Sequence, residues 1–237
     1  MLKRFLKKIP GVRGLIDVVR YVRYRAAGKF STSDDYWKKR YQSGGDSGTG
    51  SYGPFAEFKA ECLNAFVSEK GVRTVMEFGC GDGNQLTLAS YPQYTGVDIS
   101  PDAIARCRKL FAGDLSKRFL VSDDYGGQTA ELILSLDVIY HLVEDAVFDA
   151  YMRRLFDSAT RYVIIYSSNT DQQEKLQTFH VRHRKFTDWV AKHQPSWSLV
   201  RHIPNKYPYD PISGDGTLAD FFVFEPTSIT GADLLKS

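Results

Sequence analysis

Val75-Met76-Glu77-Phe78-Gly79-Cys80-Gly81-Asp82-Gly83-Asn84 is the stretch on which the reading of this chain turns. An apolar, β-prone run meets an acidic residue and passes into glycines at alternate positions, where a helix is expected to begin. Glycines so placed let the backbone turn sharply and come close to a ligand with no Cβ in the way. The spacing is GxGxG, whereas a dinucleotide loop is GxGxxG and presents a helix N-terminus to a pyrophosphate. With Glu77 ahead of the glycines, the loop suits a positively charged ligand better than a pyrophosphate.

Outward from that loop, β-rich runs alternate with helical periodicity. Strands are expected near residues 73 to 78, 94 to 98, 117 to 122, 131 to 137, 161 to 167, 197 to 203 and 219 to 225. Helices are expected near 54 to 70, 84 to 90, 101 to 111, 145 to 158 and 182 to 193, the first with Phe55, Phe58, Cys62 and Phe66 on one face. This alternation predicts an α/β fold, a three-layer sandwich whose mostly parallel seven-stranded sheet carries helices on both faces. A Pro- and Gly-bearing stretch at 204 to 216 joins the last two strands and allows a hairpin, which puts an antiparallel strand at the sheet edge.

A chain of 237 residues, 43% of them hydrophobic, can bury one substantial core. Its net charge of +3 is unevenly spread: residues 1 to 29 hold nine basic side chains against Asp17 alone, so the remainder is mildly acidic. Leu2, Phe5, Leu6 and Ile9 recur at helical spacing, and Val12, Leu15, Ile16, Val19 and Val22 repeat the pattern after Pro10-Gly11. Two short amphipathic helices are expected, far short of the roughly 20 apolar residues that span a bilayer. Such an arm would lie on an anionic membrane surface, meet an RNA or a protein partner, or pack on its own domain. A basic arm on a mildly acidic body suggests that the arm meets an anionic surface which the body does not itself need, and nucleic acid is not the expected partner. Cys62, Cys80 and Cys107 are scattered, with no CxxC and no histidine at ligand spacing, which predicts neither a disulfide framework nor zinc. The expected setting is cytoplasmic, with the arm peripheral at the inner face of a membrane.

Residues 30 to 53 read as a lid preceding a domain at 54 to 237: a short helix around Asp34-Asp35-Tyr36-Trp37-Lys38-Lys39-Arg40-Tyr41, capped by Ser33 or Asp34, then the loop Ser43-Gly44-Gly45-Asp46-Ser47-Gly48-Thr49-Gly50-Ser51.

Val75 to Gly83 resembles the first motif of the class I S-adenosyl-L-methionine (SAM)-dependent methyltransferases, a Rossmann-like family, and the resemblance runs from about residue 72 to 225. It implies SAM as cofactor, with Glu77, Gly79, Cys80, Gly81 and Gly83 in the glycine loop. Gly96-Val97-Asp98-Ile99-Ser100 is similar to the second-strand end of that family, which gives Asp98 the ribose hydroxyls, with Ile99 beside it; a helix cap is the alternative for Asp98. Phe119-Leu120-Val121-Ser122-Asp123-Asp124 is similar to the third-strand end, where an acidic side chain meets the adenine amino group, Asp123 being preferred to Asp124. Ala130 to Leu142 resembles the fourth-strand motif under SAM, which brings in Leu136 and Asp137. Tyr36-Trp37-Lys38-Lys39-Arg40-Tyr41 is similar to the YWxxRY-type segment that closes over SAM, which implies Tyr36, Trp37 and Arg40. The sequence also resembles methyltransferases associated with bacterial cell-surface glycan assembly, implying O-methylation of a glycan or glycolipid intermediate. A soluble small-molecule methyltransferase and a non-catalytic SAM-binding protein are the alternatives.

Methyl transfer is an in-line displacement at a carbon already activated by a sulfonium, so a protein chiefly aligns the partners and removes a proton where the acceptor needs it. His141, one turn past Asp137, is the candidate general base, with Asp137 orienting it or the substrate; a packing histidine and a buried structural carboxylate are the alternatives. His180, His183 and Arg184, in a cation-rich run from 180 to 189, together with Tyr140, Tyr207 and Tyr209, are the candidate acceptor contacts. The run is equally readable as a solvated basic helix. No metal is expected, because the Asp-Asn pair of a catechol-type magnesium site is missing around Asn169-Thr170-Asp171, and the Asp-Pro-Pro-Tyr motif of adenine-amino DNA methyltransferases is absent too.

Overall fold

The computed structural model describes residues 30 to 173 and 178 to 227, so the amphipathic helices expected within residues 1 to 29 lie outside the described residues. In chain order the elements are α1 (Ser33–Gln42), α2 (Gly53–Lys70), β1 (Thr74–Phe78), β2 (Gln93–Asp98), α3 (Pro101–Leu110) and β3 (Lys117–Val121). Then follow β4 (Ala130–Leu136), α4 (Asp145–Asp157), β5 (Ala159–Ser167), α5 (Phe186–His193), β6 (Trp197–Ile203) and β7 (Asp220–Pro226). The seven strands form one sheet in the order β3-β2-β1-β4-β5-β7-β6. Strands β1 to β5 pair in parallel, and β7 runs antiparallel to both β5 and β6. The antiparallel strand thus sits one position in from the edge, held by the β6–β7 hairpin.

Register explains the two cores. Val75, Leu132 and Tyr162 lie side by side, as do Met76, Ile133 and Val163 in the next row. Because side chains alternate across a sheet, the first row faces α2 and α3 through Phe58, Leu63, Phe66 and Ile104. The second row faces α4 and α5 through Phe148, Met152, Leu155 and Val190. Central strands buried on both faces read as unbroken apolar runs, which is why β4 and β5 stand out in the sequence.

Four expectations need correction. Residues 84 to 90 form only a 3-10 turn at Gln85–Leu88, because Pro92 and the immediate start of β2 leave too short a span for a full helix. Thr32, rather than Ser33 or Asp34, caps α1, its hydroxyl accepting the Asp35 N–H. Helix α5 begins at Phe186, not 182, because the residues before it are bonded to the turn after β4. On α2 the buried set is Ala56, Phe58, Lys59, Ala60, Leu63, Phe66 and Val67, with Phe55 and Cys62 only half-buried.

Candidate active site

Strand order reverses between β1 and β4, and a ligand in an open α/β sheet binds beyond the carboxyl ends of the strands at such a point. A cavity of about 460 Å³ lies there, walled by the ends of β1, β2 and β4 and by α1 with the loop that follows it. Gly79 adopts φ +79°, and a Cβ on it would come 2.4 Å from Val138 Cγ2, so only glycine lets the loop pass under the turn after β4. Gly83 does something different from what was expected. A Cβ there would meet Cys107 Sγ at 3.0 Å and Phe111 Cε2 at 3.1 Å, so its bareness serves the packing of α3, and it does not line the cavity.

Asp98 ends β2 inside the cavity, 6% exposed. Its Oδ2 accepts the Gly81 N–H at 2.9 Å and its Oδ1 the Ser100 N–H at 2.9 Å, while the Ser100 side chain caps α3. Burial pushes its carboxyl up to about 6 against the opposing effect of those amides. Glu77, fully inside β1, is raised to about 7 by burial, an effect reduced by the Tyr94 hydroxyl and by Lys59. Gln85 lines the same cavity, and its Oε1 is a buried acceptor with no partner among the described residues.

The segment after α1 lies against the glycine loop. Ser47 N–H and Tyr52 OH donate to Asp82 Oδ2 at 2.9 and 2.7 Å, and Asp82 N–H donates to Ser47 Oγ at 2.9 Å. From α3, Arg106 donates to the carbonyls of Gly45 and Tyr41 at 2.5 and 2.6 Å. Ser33, buried at the start of α1, donates through N–H and Oγ to the Glu144 carboxylate at 2.9 and 2.6 Å. These bonds hold α1 against the cavity, which Ser33, Asp34, Trp37 and Tyr41 line.

Asp137 follows β4 with φ +59°, the one non-glycine residue with positive φ among those described. Its Oδ2 lies 2.6 Å from Lys59 Nζ, and its Oδ1 accepts the Tyr140 hydroxyl at 2.8 Å. Asp137 therefore orients Tyr140 and Lys59 rather than His141. The His141 ring is fixed by the His180 carbonyl, 2.9 Å from Nδ1. Since a carbonyl only accepts, Nδ1 carries the proton and Nε2 keeps the lone pair. Burial pulls the His141 imidazole down to about 4, so it is neutral near pH 7 and free to accept a proton.

Of the residues implied for the cofactor, Trp37, Glu77, Gly79, Cys80, Gly81, Asp98, Ile99, Asp123 and Leu136 line the cavity, together with Asp137 and His141. Tyr36, Arg40 and Asp124 do not: Arg40 is bonded to Asp46, and Tyr36 stacks on His180. Tyr140, behind Asp137, lines no part of the cavity either. Arg184, a candidate acceptor contact, instead donates through its guanidinium to the carbonyls of Leu142 and Val143 and to Asp145. His183 Nδ1 lies 2.7 Å from Ser168 Oγ and faces a separate groove. Tyr207 packs edge-on against Phe55, and Tyr209 bonds through its amide to Thr217; neither reaches the cavity. Sequence reasoning missed Lys59, Asp34, Ser47 and Gln85. Among the described residues no group of three His, Cys, Asp or Glu side chains could hold a metal ion, and no helix is long and apolar enough to cross a membrane.

Known proteins resemble this chain in sequence and in fold. The family described as "Methyltransferase domain" matches residues 53 to 204. A small RNA 2'-O-methyltransferase of Arabidopsis thaliana is 28% identical over 109 residues, 39% of this chain and 12% of that protein. Among solved structures, N-methyltransferase NodS of Bradyrhizobium japonicum, in complex with S-adenosylhomocysteine (SAH), superposes with TM-score 0.62 at 13% identity, covering 83% of this chain and 99% of that one. The methyltransferase domain of the bacterial protein CtHen1 gives 0.58 at 20% identity over 73% and 98%. Magnesium protoporphyrin IX methyltransferase of Synechocystis with bound SAM gives 0.58 at 15% identity over 83% and 98%.

Proposed function

We propose, from the premise that this chain belongs to the methyltransferase-domain family and is a SAM-dependent methyltransferase, that it methylates a sugar hydroxyl, with a glycan or glycolipid intermediate as the acceptor. The observation that carries the reading is the neutral His141, its Nδ1 committed to a carbonyl, in the same cavity as the glycine loop and Asp98. A hydroxyl acceptor needs its proton removed as the new bond forms, and a positioned imidazole does that.

The cavity suits SAM chemically. Glu77, Asp98, Asp123 and Gln85 line a space in which a cation and hydroxyl donors would be held. When bound, SAM supplies a methyl group on a sulfonium, an electrophile that needs no further activation. Asp98 would hold the ribose hydroxyls, Asp123 the adenine amino group, and Trp37 with Leu136 would exclude water. Lys59 and Tyr140 keep Asp137 in place at the acceptor side. His141 Nε2 would take the acceptor proton.

The glycan acceptor follows from the sequence resemblance and from the nine basic residues of the N-terminal arm, which suit an anionic membrane surface. A second reading, a ribose 2'-hydroxyl of RNA, is favoured by the name of the plant relative. Transfer of labelled methyl from SAM to lipid-linked glycans and to small RNAs, with wild type and His141→Gln, tests both. The expected result is incorporation into glycan that falls at least about 100-fold in the variant. Label in RNA alone would favour the second reading, and incorporation indifferent to His141→Gln would sink the base.

A further inference from the structure

Three rings from three separate segments stack beside the cavity: Tyr36 of α1, His180 of the loop after β5, and His141 of the turn after β4. Tyr36 and His180 lie 4.2 Å apart between centroids with their planes 11° from parallel, and His180 and His141 5.3 Å apart at 17°. The Tyr36 hydroxyl is 3.4 Å from His180 Nε2, and Arg40 Nη1 donates to that hydroxyl at 3.5 Å. Trp37, one residue on, meets the His141 ring edge-on at 4.9 Å. The lid helix therefore touches the candidate base directly through Trp37 and indirectly through His180.

His180 is bound to His141 in a second way, by the carbonyl that accepts from Nδ1. The chain just after that carbonyl is tied to the turn bearing His141, while the ring stack sets His180 itself. Arg182 N–H donates to the Tyr140 carbonyl at 2.8 Å, and Arg184 donates to the carbonyls of Leu142 and Val143 at 2.7 and 2.8 Å. A free neutral imidazole prefers the proton on Nε2, which would leave no lone pair on the nitrogen that the site requires as base.

We propose that His180 is a positioning residue: its carbonyl selects the Nδ1–H tautomer of His141, and its ring, clasped between His141 and Tyr36, makes that arrangement depend on α1 being docked. The inference rests on the reading of His141 as the base. It gives α1 a task besides covering the cavity, since the base is correctly set only while the lid is down. The groups that act on the charge of His141 are Asp137 from the end of β4, Arg40 from α1, and His180 and His183 from the loop after β5. Burial outweighs them and keeps both His141 and His180 neutral, so the tautomer is what distinguishes a working base from an idle one near pH 7.

The test is long-range 1H–15N correlation spectroscopy of the full chain labelled at its five histidines, assigned by single substitutions and recorded with SAH present. In wild type, His141 should show a protonated Nδ1 and a bare Nε2. In His180→Ala and Tyr36→Ala the two nitrogens should average towards each other, and the His141 midpoint should rise from about 4 towards the ordinary 6.5. Every variant retains the main-chain carbonyl at position 180, but only His180→Phe also retains the ring stack that sets it, so it should restore the wild-type pattern and show that loss in the alanine variants is not misfolding. A wild-type Nε2–H tautomer, or an unchanged pattern in both alanine variants, overturns the proposal. Methyl transfer by His141→Gln separates the two claims. Full activity there removes the base and this inference with it, whereas an inactive variant beside an unchanged tautomer in His180→Ala removes this inference alone.

Discussion

Lys59→Met strikes the one fully buried ammonium of the site. The Lys59 side chain is 1% exposed, and its Nζ sits 2.6 Å from a carboxylate that is 15% exposed. Methionine fills nearly the same volume, so little of the effect comes from packing; what changes is that Asp137 keeps its charge and loses its counter-ion. Breaking a buried pair from one side costs about 3 to 5 kcal/mol. The Tyr140 hydroxyl and the residual exposure of Asp137 place this case at the low end, about 3 kcal/mol. Adding Asp137→Asn, which tolerates the positive φ, removes the orphaned charge, and the double variant should recover to within about 1 kcal/mol of wild type. Urea unfolding followed by tryptophan fluorescence gives both quantities as shifts in midpoint at constant slope. A cost below about 1 kcal/mol for the single variant, or a double variant equal to the sum of the singles, would refute the coupling.

Three further outcomes follow from the site. Asp98 holds a proton up to about pH 6 in the free protein, and ribose hydroxyls ask for the ionised form, so SAH affinity should weaken as pH falls through 6 and lose that dependence in Asp98→Asn, measured by calorimetry at pH 5 and 8. His141 titrates near 4 when folded against 6.5 when free, so its contribution to stability is complete above pH 6.5 and is lost as pH falls towards 4; His141→Phe should flatten that part of the urea midpoint profile between pH 7 and 5. Arg106→Met removes both carbonyl contacts to the lid loop, and limited proteolysis should then cut between Tyr41 and Ser51 several-fold faster than in wild type, with SAH restoring part of the protection.

What could be read ahead of the structure was what local pattern determines. Parallel strands buried on both faces, such as Leu132-Ile133-Leu134, announce themselves as apolar runs, and the glycine loop announces the ligand edge. Lys59 also left a signal, a lysine in phase with Ala56, Leu63 and Phe66 on the buried face of α2, which a strict 3.6-residue count exposes. Arg184 could not be read, because its donors are consumed by the carbonyls of a turn about forty residues earlier, a partner that no local pattern names. Tyr207 and Tyr209 failed for a related reason: the course of the 204 to 216 loop, and hence which pocket it walls, is set by packing against α2 and by the turn at Thr217. The family resemblance implies Gly83 as a ligand contact, yet its neighbours are Cys107 and Phe111, side chains brought in by the tertiary approach of α3.

The central claim is that this cavity binds SAM through Asp98, and calorimetric titration of SAM and SAH into the purified chain, with Asp98→Ala and with NAD as a control, tests it most directly. The account predicts saturable binding of both, weakened at least about 100-fold in Asp98→Ala through loss of two charge-assisted hydrogen bonds, and no binding of NAD. Folded protein that takes up neither SAM nor SAH, or that binds them equally well without Asp98, would contradict it.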